Sequence, residues 1–213
     1  MKAIIFDIGN VLVKVDLSLW KTSFSEIGIA LPENFLEDQE LHQLVHEHGI
    51  GKISTQQLFQ SLVKKAKTDK ISLEQFAKAW NAVILFFYTD SLKTVELLRK
   101  EGYQVYVLSD TNEMHIAYLE ELYQKLYPNK QFLALFDKSY LSHLTGYGKN
   151  QDEAWLQILK EHHLKPQDCF FIDDLSSNIK RAQNLGLHTF HYTAESNMQA
   201  VLKQIAALNQ KSI

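Results

Sequence analysis

Asp7 stands in Phe6-Asp7-Ile8-Gly9-Asn10-Val11-Leu12, and Asp173 and Asp174 close Phe171-Ile172-Asp173-Asp174. Between them lie Leu108-Ser109-Asp110-Thr111-Asn112 and Gly146-Tyr147-Gly148-Lys149. Most of these polar clusters follow a compact apolar run. If the runs are neighbouring strands of one parallel sheet, their polar ends share one edge, where ligands of such sheets sit. Asp7, Asp173, Asp174, the Ser109 hydroxyl and Lys149 would then meet in one crevice. Crowded carboxylates repel one another, so a divalent cation is their natural companion, and oxygen-only ligands favour magnesium.

The elements that must position these residues are legible in the spacing of apolar residues. Ala3 to Ile8 is a β-branched run that reads as a buried parallel strand breaking into a loop. From Asp16 to about Phe87 the period changes to three and four, carried by Phe35, Leu44, Val45, Leu58, Leu62, Phe76, Trp80 and Val83. That spacing predicts several amphipathic helices, with Ser54 and Ser72 as N-caps after breaks at 49–54 and 67–72. Beyond Thr89 helices and strands alternate. Helices are expected at 92–100, 112–126, 152–163, 178–185 and 195–208, and strands at 104–108, 138–141, 169–172 and 188–192. Strands separated by helices of ten residues or more imply right-handed crossovers and a parallel sheet. The expected architecture is an α/β three-layer, Rossmann-like core from 1–15 and 88–213, interrupted by an all-helical insertion at 16–87.

Composition narrows the function classes. The 213 residues are 46% hydrophobic and 22% charged, as in an ordinary globular protein. A net charge of −3 argues against a nucleic-acid binder, which needs a basic face. The single cysteine, Cys169, excludes an intramolecular disulfide and suits a reducing compartment. The apolar run before Asp7 is too short for a signal peptide or a membrane span. A cytoplasmic monomer or homodimer is expected.

The four motifs, in this order and spacing, resemble those of the haloacid dehalogenase-like superfamily over nearly the whole chain. The helical insertion is similar to the cap of that superfamily's first subclass. Ser109-Asp110-Thr111-Asn112 with His115, and Gly51 with Ile53-Ser54, are similar to its sugar-1-phosphate phosphatase branch. The resemblance implies a magnesium-dependent phosphatase of a small phosphorylated metabolite, in which Asp7 attacks phosphorus and becomes an aspartyl-phosphate. Asp7, Asp174 and the Gly9 carbonyl would hold Mg²⁺, with Asp173 assisting through water and Asn178 supporting that shell. Ser109, Asp110, Thr111, Asn112 and Lys149 would bind the phosphoryl group.

Two departures stand out. Most phosphatases of the superfamily carry an acid two residues after the nucleophile, and this chain has Gly9. A missing general acid typically costs about 10²–10⁴-fold, so phosphates with an already stabilised leaving oxygen should suffer least. Asp16, nine residues after Asp7, is the candidate substitute, against the plainer reading of a charge at the start of the insertion. The other departure is Asn150, where the family often has proline.

Two alternatives are a catalytically weak protein that only binds a phosphorylated ligand, and a 2-haloacid dehalogenase. Gly9 favours the first; Asp173-Asp174, which dehalogenases lack, oppose the second. Among the remaining polar residues, His46 and His48 are two apart and make a poor metal pair. His162-His163 read as favourable charges at a helix C-terminus, Cys169 as a buried inert thiol, and Leu85-Phe86-Phe87-Tyr88 as packing between insertion and core.

Overall fold

The computed structural model describes the chain except for residues 33, 35, 36, 65, 67–69 and 211–213. The helical role given to Phe35, and part of the 67–72 break, lie outside the described residues. The chain opens on β1 (Ala3–Phe6) and β2 (Val13–Val15), then runs through α1 (Leu19–Glu26), α2 (Gln39–Gly49), α3 (Thr55–Val63) and α4 (Leu73–Asn81). It returns along β3 (Ile84–Phe87) to α5 (Thr89–Lys100), β4 (Gln104–Ser109), α6 (Glu113–Leu126), β5 (Lys138–Leu141) and a short α7 (Ser142–Thr145). Helix α8 (Glu153–Glu161), β6 (Cys169–Asp173), α9 (Ser176–Asn184), β7 (His188–His191) and α10 (Met198–Gln210) complete it.

Five strands form one parallel sheet in the order β5-β4-β1-β6-β7. All four residues of the central β1 are buried, and alternation sends them to opposite faces. Ile4 and Phe6 join Val105, Val107, Phe170 and Ile172 under α5, α6 and α10. Ala3 and Ile5 join Tyr106, Leu108 and Phe171 under α8 and α9. Two apolar faces explain why β1 lacks the polar alternation of a half-exposed strand. They also produce the three layers expected from the sequence.

The helical insertion has its own aromatic centre. Trp20 and Phe24 of α1 meet Phe76 and Trp80 of α4, with ring centroids 4.9 Å apart for Trp20–Trp80 and 5.5 Å for Phe24–Phe76. The Trp20 indole N–H donates to the Trp80 carbonyl at 2.8 Å. Ser54 and Ser72 cap α3 and α4, each in a reciprocal capping box with Gln57 or Gln75.

The expectation of helix throughout 16–87 needs correction at its end. Ile84–Phe87 is a strand, paired antiparallel with Val13–Val15 and shifted in register between Lys14 and Val15. The two strands form the stem through which the chain leaves and re-enters the core. Ile84 and Phe87 are buried while Leu85 and Phe86 face outward, so only part of the 85–88 run packs as expected. Three- and four-residue strands paired across about seventy residues leave too short a pattern for periodicity to detect.

Two smaller readings meet different fates. Burial pushes the Cys169 thiol up to about 12, as suits an inert residue. His162, expected as a charge at a helix C-terminus, stacks on Tyr106 at 4.3 Å and lies 2.8 Å from the Tyr140 hydroxyl, and burial lowers its pKa.

Candidate active site

Asp7 emerges from β1 with its amide donating to the Ile172 carbonyl at 2.9 Å, which ties it to β6. Its carboxylate is buried and meets Lys149 Nζ at 2.7 Å. The same ammonium reaches Asp173 Oδ2 at 2.6 Å. Asp173 also accepts from Leu175 N at 2.7 Å and from Asn178 Nδ2 at 3.1 Å on each oxygen. Asn178 therefore supports the acidic cluster through Asp173. One ligand atom from each of Asp7, Asp173 and Asp174 lies within 4.8 Å of the others.

Crowding shows in the proton equilibria. Burial, opposed by Lys149 and reinforced by Asp173 and Asp174, raises the Asp7 carboxyl to about 7. Asp174 is raised too, by burial first and then by Asp173. Burial works against the Lys149 charge, but Asp7 and Asp173 more than offset it and hold the ammonium above its ordinary range. The donor set is all oxygen, compact and over-supplied with negative charge, which fits a hard dication. Asp7 and Asp174 are the residues able to hold it, with Asp173 already engaged by three donor groups.

Ser109 ends β4 and is buried beside Thr111 and Asn112. Asn112 caps α6, its Oδ1 accepting from His115 N at 3.1 Å. The Thr111 amide donates to Ser142 Oγ at 2.9 Å, so a phosphoryl oxygen would compete with that hydroxyl. Asp110 was expected beside the phosphoryl group. Its carboxylate accepts from the Lys149 amide at 2.8 Å and shapes the lysine loop, and the residue lines the same cavity as Ser109 and Thr111.

Asp16 is not brought to this cluster. Its Oδ1 accepts from Ser18 N at 3.0 Å and Ser18 Oγ at 2.6 Å, and these bonds lower its pKa. A carboxylate stabilised in its ionised form is a poor proton donor. Gly9 does line the site, and a Cβ built there meets only Val15 Cγ2 at 3.9 Å, so space is not what excludes an acid.

A cavity of about 460 Å³ opens between these strand ends and the insertion. Its core side includes Gly9, Ser109, Thr111, Asn112 and Asn150. Its insertion side includes Trp20, Val45, Ile50 and Trp80, with His42 and His46 as imidazoles. The sequence draws the eye to His46 and His48, two apart; His42 and His46, four residues apart, share a helix face. Ser142, which follows β5 and opens α7, carries no signal in the sequence motifs. Its hydroxyl bridges the core to the insertion, donating to Gly49 O at 2.5 Å and lying 3.0 Å from Thr111 O.

A family model for haloacid dehalogenase-like hydrolases matches residues 1–186. This chain is a haloacid dehalogenase-like hydrolase. Among curated proteins, the chain is 29% identical over 194 residues to a D-ribitol-5-phosphate phosphatase of Bacteroides thetaiotaomicron, covering 89% of this chain and 91% of that one. Among solved structures, it is similar to a HAD family enzyme of B. thetaiotaomicron in complex with magnesium and inorganic phosphate. Identity is 27%, the TM-score 0.84, and coverage 94% of this chain and 98% of that one. A HAD-like hydrolase of Porphyromonas gingivalis, 23% identical with a TM-score of 0.85, covers 97% of this chain and 98% of its own and shares the fold. No helix among the described residues is long and apolar enough to cross a membrane.

Proposed function

We propose that this hydrolase is a magnesium-dependent phosphatase acting on the phosphate ester of a small neutral polyol or sugar. The carrying observation is Asp7 held by Lys149 at 2.7 Å, with Asp173 and Asp174 clustered beside it at the strand ends. The magnesium and phosphate bound by a HAD family enzyme of the same fold support this reading, as does the polyol phosphatase among the relatives.

Magnesium, held by Asp7, Asp174 and the Gly9 carbonyl, would supply positive charge against Asp7 and the phosphoryl oxygens. The chain's own groups do the rest. An Asp7 oxygen attacks phosphorus while the bond to the leaving oxygen breaks, giving an aspartyl-phosphate and an alcohol. Water then attacks the same phosphorus and frees Asp7 and inorganic phosphate. Lys149 neutralises charge on Asp7 and on the transferring group throughout. Ser109 and the first turn of α6 receive phosphoryl oxygens.

The insertion side of the cavity offers apolar surface and the imidazoles of His42 and His46. Among the described residues lining the cavity, no Lys, Arg, Asp or Glu comes from the insertion. A neutral, hydroxyl-bearing leaving group suits such a wall better than a second phosphate or an ammonium. We assign His42 and His46 to it, as hydrogen-bond partners and as the proton source that Gly9 and Asp16 do not provide.

The test is hydrolysis of D-ribitol 5-phosphate, glucose 1-phosphate, glucose 6-phosphate and phosphoglycolate, with and without Mg²⁺. Turnover of the neutral esters that disappears on chelation is expected. Undiminished activity in EDTA would end the metal assignment, and a preference for phosphoglycolate would end the assignment of a neutral leaving group. Faster turnover of glucose 1-phosphate than of D-ribitol 5-phosphate and glucose 6-phosphate would show that departure rests on a stabilised leaving oxygen and not on an imidazole.

A further inference from the structure

Asn10 has no role in the chemistry above, yet its side chain is engaged at both ends. Its Nδ2 donates to Asp174 Oδ2 at 3.0 Å, and its Oδ1 accepts from Val15 N at 3.2 Å. Its backbone lies in the left-handed region at φ +51, in a tight turn where its own amide donates to the Val13 carbonyl at 2.7 Å. Asparagine tolerates that region better than most side chains. Val15 belongs to β2, half of the stem that carries the insertion, and lies opposite Ile84 of β3. Its amide points to Asn10 where the stem ladder shifts register.

We infer that Asn10 is a positioning residue: its amide presets the Asp174 carboxylate for the cation and couples that setting to the stem of the insertion. A carboxylate with one oxygen anchored loses less rotational freedom when a dication arrives. Outer partners of metal ligands act in this way, and losing one typically costs about 10–100-fold in affinity. The side chain must donate to a carboxylate while accepting from a backbone N–H. An amide does both in one plane; aspartate cannot donate when ionised, and glycine does neither. Because Asp174 and Val15 share that amide, a change at the metal carboxylate is felt at the stem without an intervening residue.

The inference rests on the metal site proposed above, and its test separates the two. Calorimetric titration with Mg²⁺ compares the wild type with Asn10→Gly and Asn10→Ala. Glycine removes the side chain and keeps φ +51 comfortable; alanine removes the side chain and strains the turn. Both variants should bind Mg²⁺ about 10–100-fold more weakly, with only Asn10→Ala melting lower in the absence of metal. Weaker binding confined to Asn10→Ala would assign the effect to the backbone and overturn the inference. Wild-type protein that takes up no Mg²⁺ would overturn the metal site itself and the inference with it. The coupling is read by limited proteolysis of the insertion at saturating Mg²⁺. Wild type should be protected by the metal and Asn10→Gly should not; equal protection, or none in the wild type, would overturn the coupling.

Discussion

Behind the sheet side of the cavity, next to the lining residues Gly9 and Gly148, Asp7, Lys149, Asp173 and Asn178 form a buried net in which each polar group is held by another. On the insertion side, Trp20, Val45, Ile50 and Trp80 present apolar surface, interrupted by His42 and His46. The first wall owes its arrangement to electrostatics. Ions taken out of water require partners at close range, so removing one leaves another uncompensated. The second owes its arrangement to volume and shape, and apolar surfaces accept replacements of similar size at small cost. The contrast teaches that the two walls are free to vary to different degrees: a change of leaving group can be met on the insertion without touching the phosphoryl chemistry.

The largest expected effect is at Asp7. Asp7→Asn should lower turnover by at least about 10⁴-fold while the protein stays folded, measured by phosphate release and circular dichroism. Retained turnover would show direct attack by water. The same variant has a signature in stability. The folded-state pKa of Asp7 is raised to about 7 from 3.8, so its contribution is present below pH 4 and lost as pH rises through 7. Between about pH 4 and 7, metal-free wild type should lose stability relative to Asp7→Asn, which does not titrate, and Mg²⁺ should narrow the gap. A difference in Tm that stays flat over that window would refute the crowding argument.

Lys149→Met sharpens the comparison from the side of charge. With the ammonium gone, Asp7 and Asp173 lose their shared buried partner, and a loss of about 3–5 kcal/mol is expected by denaturant unfolding. A loss below about 1 kcal/mol would mean that the net is better hydrated than its burial implies.

Gly51 tests the seam between the two walls. It sits at φ +71, and a Cβ there would lie 2.3 Å from the His143 carbonyl oxygen. Gly51→Ala must therefore push α2 and α7 apart. About 1–3 kcal/mol of destabilisation is expected, with faster proteolysis of the insertion and little change in Mg²⁺ affinity. Unchanged stability and cleavage would show that the seam yields freely.

The smallest effects belong to the insertion wall. His42→Ala and His46→Ala should each raise KM by a few-fold to about tenfold, near the 0.5–1.5 kcal/mol of a hydrogen bond, and leave Mg²⁺ affinity unchanged. The variant that lowers kcat as well marks the proton donor. If neither moves KM or kcat, the leaving group does not touch that face.

Much of this is legible in the sequence alone. The parallel sheet, the order of its helices and the caps at Ser54 and Ser72 follow from spacing, because strand and helix periods and cap chemistry are local properties. The meeting of Asp7, Asp173 and Asp174 was legible for a related reason: the rule that ligands gather at strand ends turns sequence position into place. Lys149, which follows a helix and not a strand, was legible only from the four motifs together. Partners joined across long sequence separations were not. The pairing of Val13–Val15 with Ile84–Phe87 leaves no pattern in segments so short. Asp16 ranked as an acid by proximity in sequence, and only the turn that gives its carboxylate to Ser18 removes it. Asn10 stood in plain view within its motif, but an amide has no chemistry of its own to announce. Its place between Asp174 and Val15 comes from the tertiary fold, which brings together carboxylate and stem from positions 174 and 15.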